Sequence, residues 1–429
     1  MTKTKQDFYI LRKASYMLIT LFALLIGFQY FTNSPLAGII TPIEKMFTAA
    51  ILSFVAVYLV NKIIRTKRLE SIDVLALFLS FGIPLYTAIL ANIYWDQPVM
   101  YGFSTQKFWF IGLSALLIYY FLINQYITVL DIHRMMLGVA WFSLAVYLLV
   151  EVLFDASKWR DTNFVYCNPA KGGCGFKFNT LFLGYAMLFY FIKAVRENKN
   201  IFLLVSGLFF AYFLFFFQKR GIIIITGLLF FIILVTNTNK KRFVQYISIF
   251  LSTFILMLAT LFVASQERFY TLVGQYGNFF EILAGEETGE GSADSRLREL
   301  ATMFKFSAKH ALSWVFGNGK WSDNWLQNPA IAEDFFPSDL GLLGVFFVYG
   351  IIGFLLVHIQ FVYTLKWMKS RKEVNNNILY VQIKYFLLYF YLRSIFSGAI
   401  FFASGPTITL IFIMLIYYIK KTQTNDRLS

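Results

Sequence analysis

An all-helical polytopic membrane protein is the fold class this chain predicts, on three observations. Of its 429 residues, 58% are hydrophobic and 20% aromatic. Lysine, arginine, aspartate and glutamate supply only 14%, whereas a soluble domain carries roughly 25% charge to cover its surface. Apolar stretches of membrane-spanning length, about 20 residues each, recur from one end of the sequence to the other. The same composition argues against a disulfide scaffold, with 2 cysteines, and against collagen-like or low-complexity sequence, with 26 glycines and 8 prolines.

Taken in order, the predicted spans fall near residues 15–31, 43–60, 72–93, 108–123, 135–154 and 178–194, then 200–217, 221–236, 244–264, 340–365, 378–394 and 407–419. The stretch 200–236 holds two of them. As one helix it would run ~55 Å, far more than a bilayer is thick, so the chain turns at Gln218-Lys219-Arg220-Gly221. The first span has a basic flank, Lys3, Lys5, Arg12 and Lys13. Its apolar part is long and lacks a small-residue cleavage site, so it is expected to stay as a span rather than act as a signal peptide.

With these twelve spans, the lysines and arginines of the short loops collect on one side. They are the N-terminal four; Lys62, Arg65, Lys67 and Arg68; Arg134; Lys193, Arg196 and Lys199; Lys240, Lys241 and Arg242; Lys366, Lys369, Arg371 and Lys372; and Lys420, Lys421 and Arg427. The bias places both termini in the cytoplasm. It also accounts for most of the net charge of +15, which faces anionic lipid rather than nucleic acid. Three regions follow: residues 1–264 with nine spans, a large extracytoplasmic loop at 265–339, and 340–429 with three spans and a cytoplasmic tail.

Two outer loops are long. One, 155–177, carries Cys167 and Cys174 around Lys171-Gly172-Gly173. Its side of the membrane favours oxidation, and the pair can form a loop-stiffening disulfide or remain as thiols. The other, 265–339, begins with a flexible acidic run at 286–291 and continues with Leu297, Leu300, Ala301, Phe304, Ala308 and Leu312 at helical spacing. That stripe predicts an amphipathic helix on the membrane face or over a cavity.

No nucleotide, zinc-protease or serine-hydrolase motif is present, and Gly317-Asn318-Gly319-Lys320 lacks the spacing of a phosphate loop. Any chemistry is therefore expected on the outer side, on a substrate that arrives activated and without a cofactor. Arg220 opens the eighth span on the outer face, where free N–H groups already favour an anion. Arg296, between Ser295 and Arg298, opens the predicted loop helix. Two guanidinium groups at two helix starts form a plausible pyrophosphate clamp; the plainer alternative is a pair of snorkelling interfacial cations. Lys219, Arg298 and Arg393 are further substrate-binding candidates. Asp339, at the mouth of the tenth span, and His310, at the end of the loop helix, are candidate bases. Their plainer roles are a helix cap and a partner for the helix C-terminus.

The order of these features resembles the O-antigen ligase and O-antigen polymerase (Wzy-type) superfamily. The resemblance rests on Gln218-Lys219-Arg220-Gly221, on Asp294-Ser295-Arg296-Leu297-Arg298-Glu299, on Val315-Phe316-Gly317-Asn318-Gly319, and on Ser338-Asp339-Leu340-Gly341 leading to Tyr349-Gly350-Ile351-Ile352-Gly353. It covers roughly residues 215–355. It implies a metal-independent membrane glycosyltransferase of the GT-C type in the bacterial cytoplasmic membrane. Donor and acceptor would be glycans on undecaprenyl pyrophosphate, with a chain-length regulator and a flippase as partners. Ligases of the family carry a histidine where this chain has Ser338-Asp339, a departure that favours the polymerase branch. A ligase acting on lipid A–core is the first alternative. A flippase is the alternative of another class, disfavoured by the lack of an internal repeat.

Overall fold

The computed structural model describes residues 5–27, 37–159, 165–168, 173–176, 178–217, 220–264, 266, 269–270, 291–322, 335–368 and 377–425. Lys219, the acidic run 286–290 and the basic segment 369–372 lie outside them. The described chain is all-α apart from one hairpin. Its main helices are α1 (Lys5–Gly27), α2 (Ala37–Thr66), α3 (Ser71–Trp95), α4 (Lys107–Ile123), α5 (Val129–Leu153), α6 (Leu181–Glu197) and α7 (Asn200–Phe217). They are followed by α8 (Arg220–Asn237), α9 (Lys240–Ala264), α10 (Gly291–Lys309), α11 (Leu342–Met368), α12 (Ile378–Ser397) and α13 (Gly405–Asn425).

Over its described residues, each apolar stretch read from the sequence overlaps one of these helices. Among the described residues, five helices are long and apolar enough to cross a membrane: Pro42–Thr66 of α2, α3, α5, α7 and α11. The helices are less regular than their hydropathy implies. A π-helical turn, Phe78–Gly82, interrupts α3, another, Phe213–Phe217, closes α7, and α11 is broken at Gly350.

The chain divides into two compact units. The first comprises residues 1–26, 39–135 and 299–429, the second 27–38 and 136–298. The second unit is held by large aromatic and small polar contacts between neighbouring helices. Phe191 of α6 stacks on Phe230 of α8 at 3.9 Å, Ser206 of α7 donates to the Met187 carbonyl at 2.9 Å, and Tyr246 of α9 donates to the Ala194 carbonyl at 3.0 Å. Hydroxyls that donate to backbone carbonyls are common interhelical contacts where no water competes. Tyr147 of α5 stacks on Phe178 at 4.0 Å and donates to the Asn179 carbonyl at 2.9 Å. Just before Phe178 runs the hairpin β1 (Val165–Asn168) and β2 (Gly173–Phe176). Cys174 is disulfide-bonded, and the residue opposite it in the antiparallel register is Cys167, so the oxidised alternative is the one observed.

The first unit is organised around the break in α11. Gly350 adopts φ 62° and ψ −178° inside the helix, a left-handed conformation that suits glycine. The break withdraws the Phe347 and Val348 carbonyls from the helical ladder. The Asn318 and Gly319 N–H groups take them, at 2.9 Å each. After a single helical turn at Ser313–Phe316, residues 317–322, which the sequence places in a soluble outer loop, thus run as a largely buried thread between α3 and α11. Gly319, at φ 78°, is pressed on α3 so closely that a Cβ would lie 2.2 Å from the Ala91 nitrogen and 2.4 Å from the Thr87 carbonyl oxygen.

The thread's polar backbone is paired almost group by group. Tyr86 donates to the Phe316 carbonyl, Gly317 N–H to the Ser313 carbonyl at 2.7 Å, and the Trp95 indole to the Asn318 carbonyl at 2.7 Å. Gln97, fully buried, donates through Nε2 to the Lys320 carbonyl at 3.3 Å and accepts from Ser322 N–H at 2.8 Å. Non-helical backbone survives at membrane depth only when protein groups satisfy it in this way.

Gly319→Ala is therefore expected to destabilise the protein by about 3 kcal/mol or more, from left-handed strain plus a clash with helix backbone. Gly227→Ala, where a Cβ meets nothing within 4 Å, should be neutral or gain up to about 1 kcal/mol. Thermal unfolding of the two purified variants beside the wild type checks the contrast.

Candidate functional site

The thread leads to one end of the first unit, where several sequence-predicted residues are gathered. Lys320 leaves the slot with its ammonium 5.2 Å from the centroid of Phe402, in the turn joining α12 to α13. The same corner receives the start of α11: a Cβ on Gly341 would lie 2.4 Å from the Ile395 carbonyl oxygen. Two residues earlier, Asp339 sits exposed in a single 3-10 turn, Pro337–Leu340. Its carboxylate makes no hydrogen bond or ion pair among the described residues. It is not the cap of α11, which begins at Leu342, so the plainer role foreseen for it is not the one observed.

Arg393 lies near the end of α12, half-buried, and its Nε is enclosed without a hydrogen-bond partner among the described residues. His310 directly follows α10, exposed, with its ring 5.7 Å from Tyr94 and 4.9 Å from Phe306. Lys320, Asp339, Arg393 and His310 thus all belong to this end of the first unit, a mouth of mixed charge. Comparison with protein-family models, with curated proteins and with solved structures finds no match.

The remaining candidates belong to the second unit. Arg220 is the first residue of α8, as its turn predicts, and its side chain lies outside the described ones. Arg296 is a correction. The loop helix begins at Gly291, so Arg296 stands in the second turn, where the pull of the macrodipole on an anion has largely decayed. What Arg296 offers is its own guanidinium, exposed like that of Arg298.

Most of the apolar stripe of α10 is turned outward, which fits the membrane-face alternative for this helix. Its buried face is Glu299, Met303 and Ser307, while Ala301, Phe304, Ala308 and, beyond the helix, Leu312 are exposed. A bilayer solvates apolar side chains, so an apolar stripe need not be the face turned to protein. His358 of α11 is a packing residue: its Nδ1 donates to the Phe354 carbonyl at 2.7 Å among the rings of Phe354, Phe361, Tyr391 and Phe401.

At the opposite end of the first unit is a polar cluster that hydropathy does not signal. Lys62 of α2 pairs with buried Asp73 of α3 at 2.5 Å and lies 3.3 Å from Glu70. Glu70 accepts from Tyr119 of α4 at 2.5 Å, and from Tyr417 and Lys421 of α13 at 2.9 Å each. Glu70 and Asp73 also form a reciprocal capping box at the start of α3, which satisfies free N–H groups there. Two cations and two carboxylates so clasp three helices, and the Tyr119 hydroxyl adds a fourth. Partial burial alone would push the Glu70 carboxyl up. The hydrogen bonds from Tyr119 and Lys421, the charge of Lys62 and the hydroxyl of Tyr417 outweigh it and hold the carboxyl down at about 2.

Because the folded value lies below the ordinary 4.5, folding favours the anion. The clasp's contribution is complete above pH 4.5 and is lost as the pH falls towards about 2. Thermal stability should be unaffected by this group between pH 7 and pH 5 (about neutral to mildly acidic) and fall below that. Glu70→Gln should cost about 1–2 kcal/mol at neutral pH, discounted for partial exposure, and should flatten the acid limb. Unfolding curves across pH for both proteins check this.

Proposed function

We propose that this chain polymerises glycan repeat units carried on undecaprenyl pyrophosphate, at the outer face of the bacterial cytoplasmic membrane, as a multi-pass protein of twelve spans with both termini in the cytoplasm. One observation carries the reading. Two segments that resemble motifs of the O-antigen ligase and polymerase superfamily, Val315–Gly319 and Tyr349–Gly353, are distant in sequence yet lie backbone against backbone at the break, where a Cβ on Gly317 would stand 2.6 Å from the Gly350 nitrogen. The third, Ser338–Gly341, folds into the adjoining corner with Asp339 exposed.

The residues supply a coherent chemistry. The sugar–pyrophosphate bond stores the driving force, so neither ATP nor a nucleotide sugar is consumed. An acceptor hydroxyl attacks the anomeric carbon, and the bond to pyrophosphate breaks with its electron pair. Asp339 takes the hydroxyl proton, with His310 as the substitute base. Arg220 and Arg296, with Lys219, Arg298 and Arg393 as further contacts, balance the charge growing on the leaving group. Guanidinium donors placed before reaction lower such a barrier by a few kcal/mol each. The aspartate in place of a ligase-type histidine favours polymerisation over transfer to lipid A–core.

Deletion of the gene should leave surface glycan capped at a single repeat unit. A ligase deletion would instead leave none and accumulate lipid-linked polymer. Arg220→Ala and Arg296→Ala should each slow chain growth about 10²–10³-fold at normal expression. The lysine replacements should rescue poorly, because a point charge lacks the bidentate fork. Chelators should have no effect. Full-length glycan from Arg296→Ala would remove that arginine from the site, and an unchanged profile in Asp339→Asn would pass the base to His310.

A further inference from the structure

We propose that residues 311–319 form a re-entrant segment whose outward face, Leu312, Val315 and Phe316, contacts the acyl chains of bilayer phospholipid. This lipid contact stands independently of the polymerisation reading. Two helices of the first unit measure its depth. At the mouth end, the His310 ring lies 5.7 Å from that of Tyr94, and Ser322 N–H donates to the Gln97 side chain at 2.8 Å. At the tip, Tyr86 donates to the Phe316 carbonyl, and Gly317 is pressed against the Gly350 backbone. Tyr86 lies nine residues before the end of α3 at Trp95, and Gly350 eight residues after the start of α11 at Leu342. At about 1.5 Å per residue, both helices place the tip about 12–14 Å below their mouth ends. The hydrocarbon core is about 30 Å thick.

The chain descends by helical turns, with Ser313 N–H on the His310 carbonyl at 2.8 Å and Phe316 N–H on the Leu312 carbonyl at 3.0 Å. It returns as the buried thread. From Ala311 to Gly319 the sequence carries no charged residue. Ser313 and Asn318 are buried, and the Asn318 amide donates to the Phe347 carbonyl at 2.9 Å. Leu312, Val315 and Phe316 are instead 66%, 39% and 40% exposed. A loop built for water has the opposite arrangement, whereas lipid accepts apolar side chains without cost. The face is also continuous with the apolar flanks of two helices long enough to span a membrane. On α3, Tyr86 adjoins exposed Leu85 and precedes exposed Ile89 by one turn; on α11, exposed Ile351 directly follows the break. Trp314 extends the patch to exposed Phe304 of α10, ring to ring at 5.7 Å.

The test is nitroxide spin-label accessibility on the full chain in phosphatidylcholine nanodiscs, the native cysteines being replaced by serine. Labels are placed singly at Leu312→Cys and Phe316→Cys. Leu355→Cys, on the exposed side of α11, serves as the lipid reference, and Thr66→Cys, at the clasp end, as the water reference. For both test sites, the ratio of collisions with oxygen to collisions with a polar nickel chelate should match that of Leu355→Cys. It should exceed that of Thr66→Cys about tenfold or more, because hydrocarbon excludes the chelate. It should also rise from Leu312→Cys to Phe316→Cys as the segment descends. Thermal melts accompany each variant, and Val315→Cys stands in for a neighbour that melts early. A ratio like that of Thr66→Cys at both test sites overturns the proposal, because the face would then lie in water. Scarce collision with either reagent overturns it as well, because protein would then cover the face.

Discussion

A backbone amide or carbonyl in hydrocarbon has no water to turn to, and each one left unpaired costs several kcal/mol. A helix meets the requirement within itself; an extended segment cannot. The pairing of the 317–322 thread with the carbonyls freed at Gly350 is therefore the interaction on which the first unit depends. The break in α11 would be costly without the thread, and the thread could not lie between α3 and α11 without the break. Gly317 and Gly350 approach so closely that a Cβ on either would collide with the other's backbone. Trp95, Tyr86 and Gln97 then close the remaining carbonyls and N–H groups from the α3 side.

The opposite end of the unit is secured differently. There the clasp of Lys62, Glu70, Asp73 and Lys421 joins α2, α3 and α13, with Tyr119 adding α4. Buried ion pairs add little net stability but are costly to break, because removal of one partner strands the other. Such a clasp suits the setting of helix register more than the deepening of the folded well. With backbone pairing at one end and ionic pairing at the other, the polar residues of the mouth are carried on a braced frame.

Much of this was legible in the residues, and the gaps have physical causes. Helix positions followed from hydropathy because the membrane imposes one length and one polarity. Helix interruptions did not: the π turn at Phe78–Gly82 lies in a uniformly apolar run, and Gly350 sits in a Gly-Ile-Ile-Gly step that reads equally well as continuous helix. Arg296 was placed at a helix start because the apolar periodicity begins at Leu297, whereas Gly291, Ser292, Ala293 and Asp294 extend the helix upstream without adding to that pattern. The α10 stripe left two settings open, membrane face or cavity, because lipid and protein core are both apolar and periodicity cannot tell them apart. The clasp was hidden because Lys62 counts as a loop cation in a topology rule, and nothing local to Glu70 shows that Lys421, 351 residues later, will reach it. The thread was visible only as a glycine motif, whose slot became evident with α3 and α11 beside it.

The account requires the mouth to face outward and the clasp to face the cytoplasm. Single cysteines at Ser338, beside Asp339, and at exposed Thr66, at the clasp end of α2, test this directly in intact cells with a membrane-impermeant maleimide, the native cysteines being replaced by serine. The account predicts that Ser338→Cys is labelled and that Thr66→Cys is labelled only after permeabilisation. Labelling of Thr66→Cys in intact cells with protection of Ser338→Cys would contradict it, because the mouth would then open on the side where no flipped glycan donor is found.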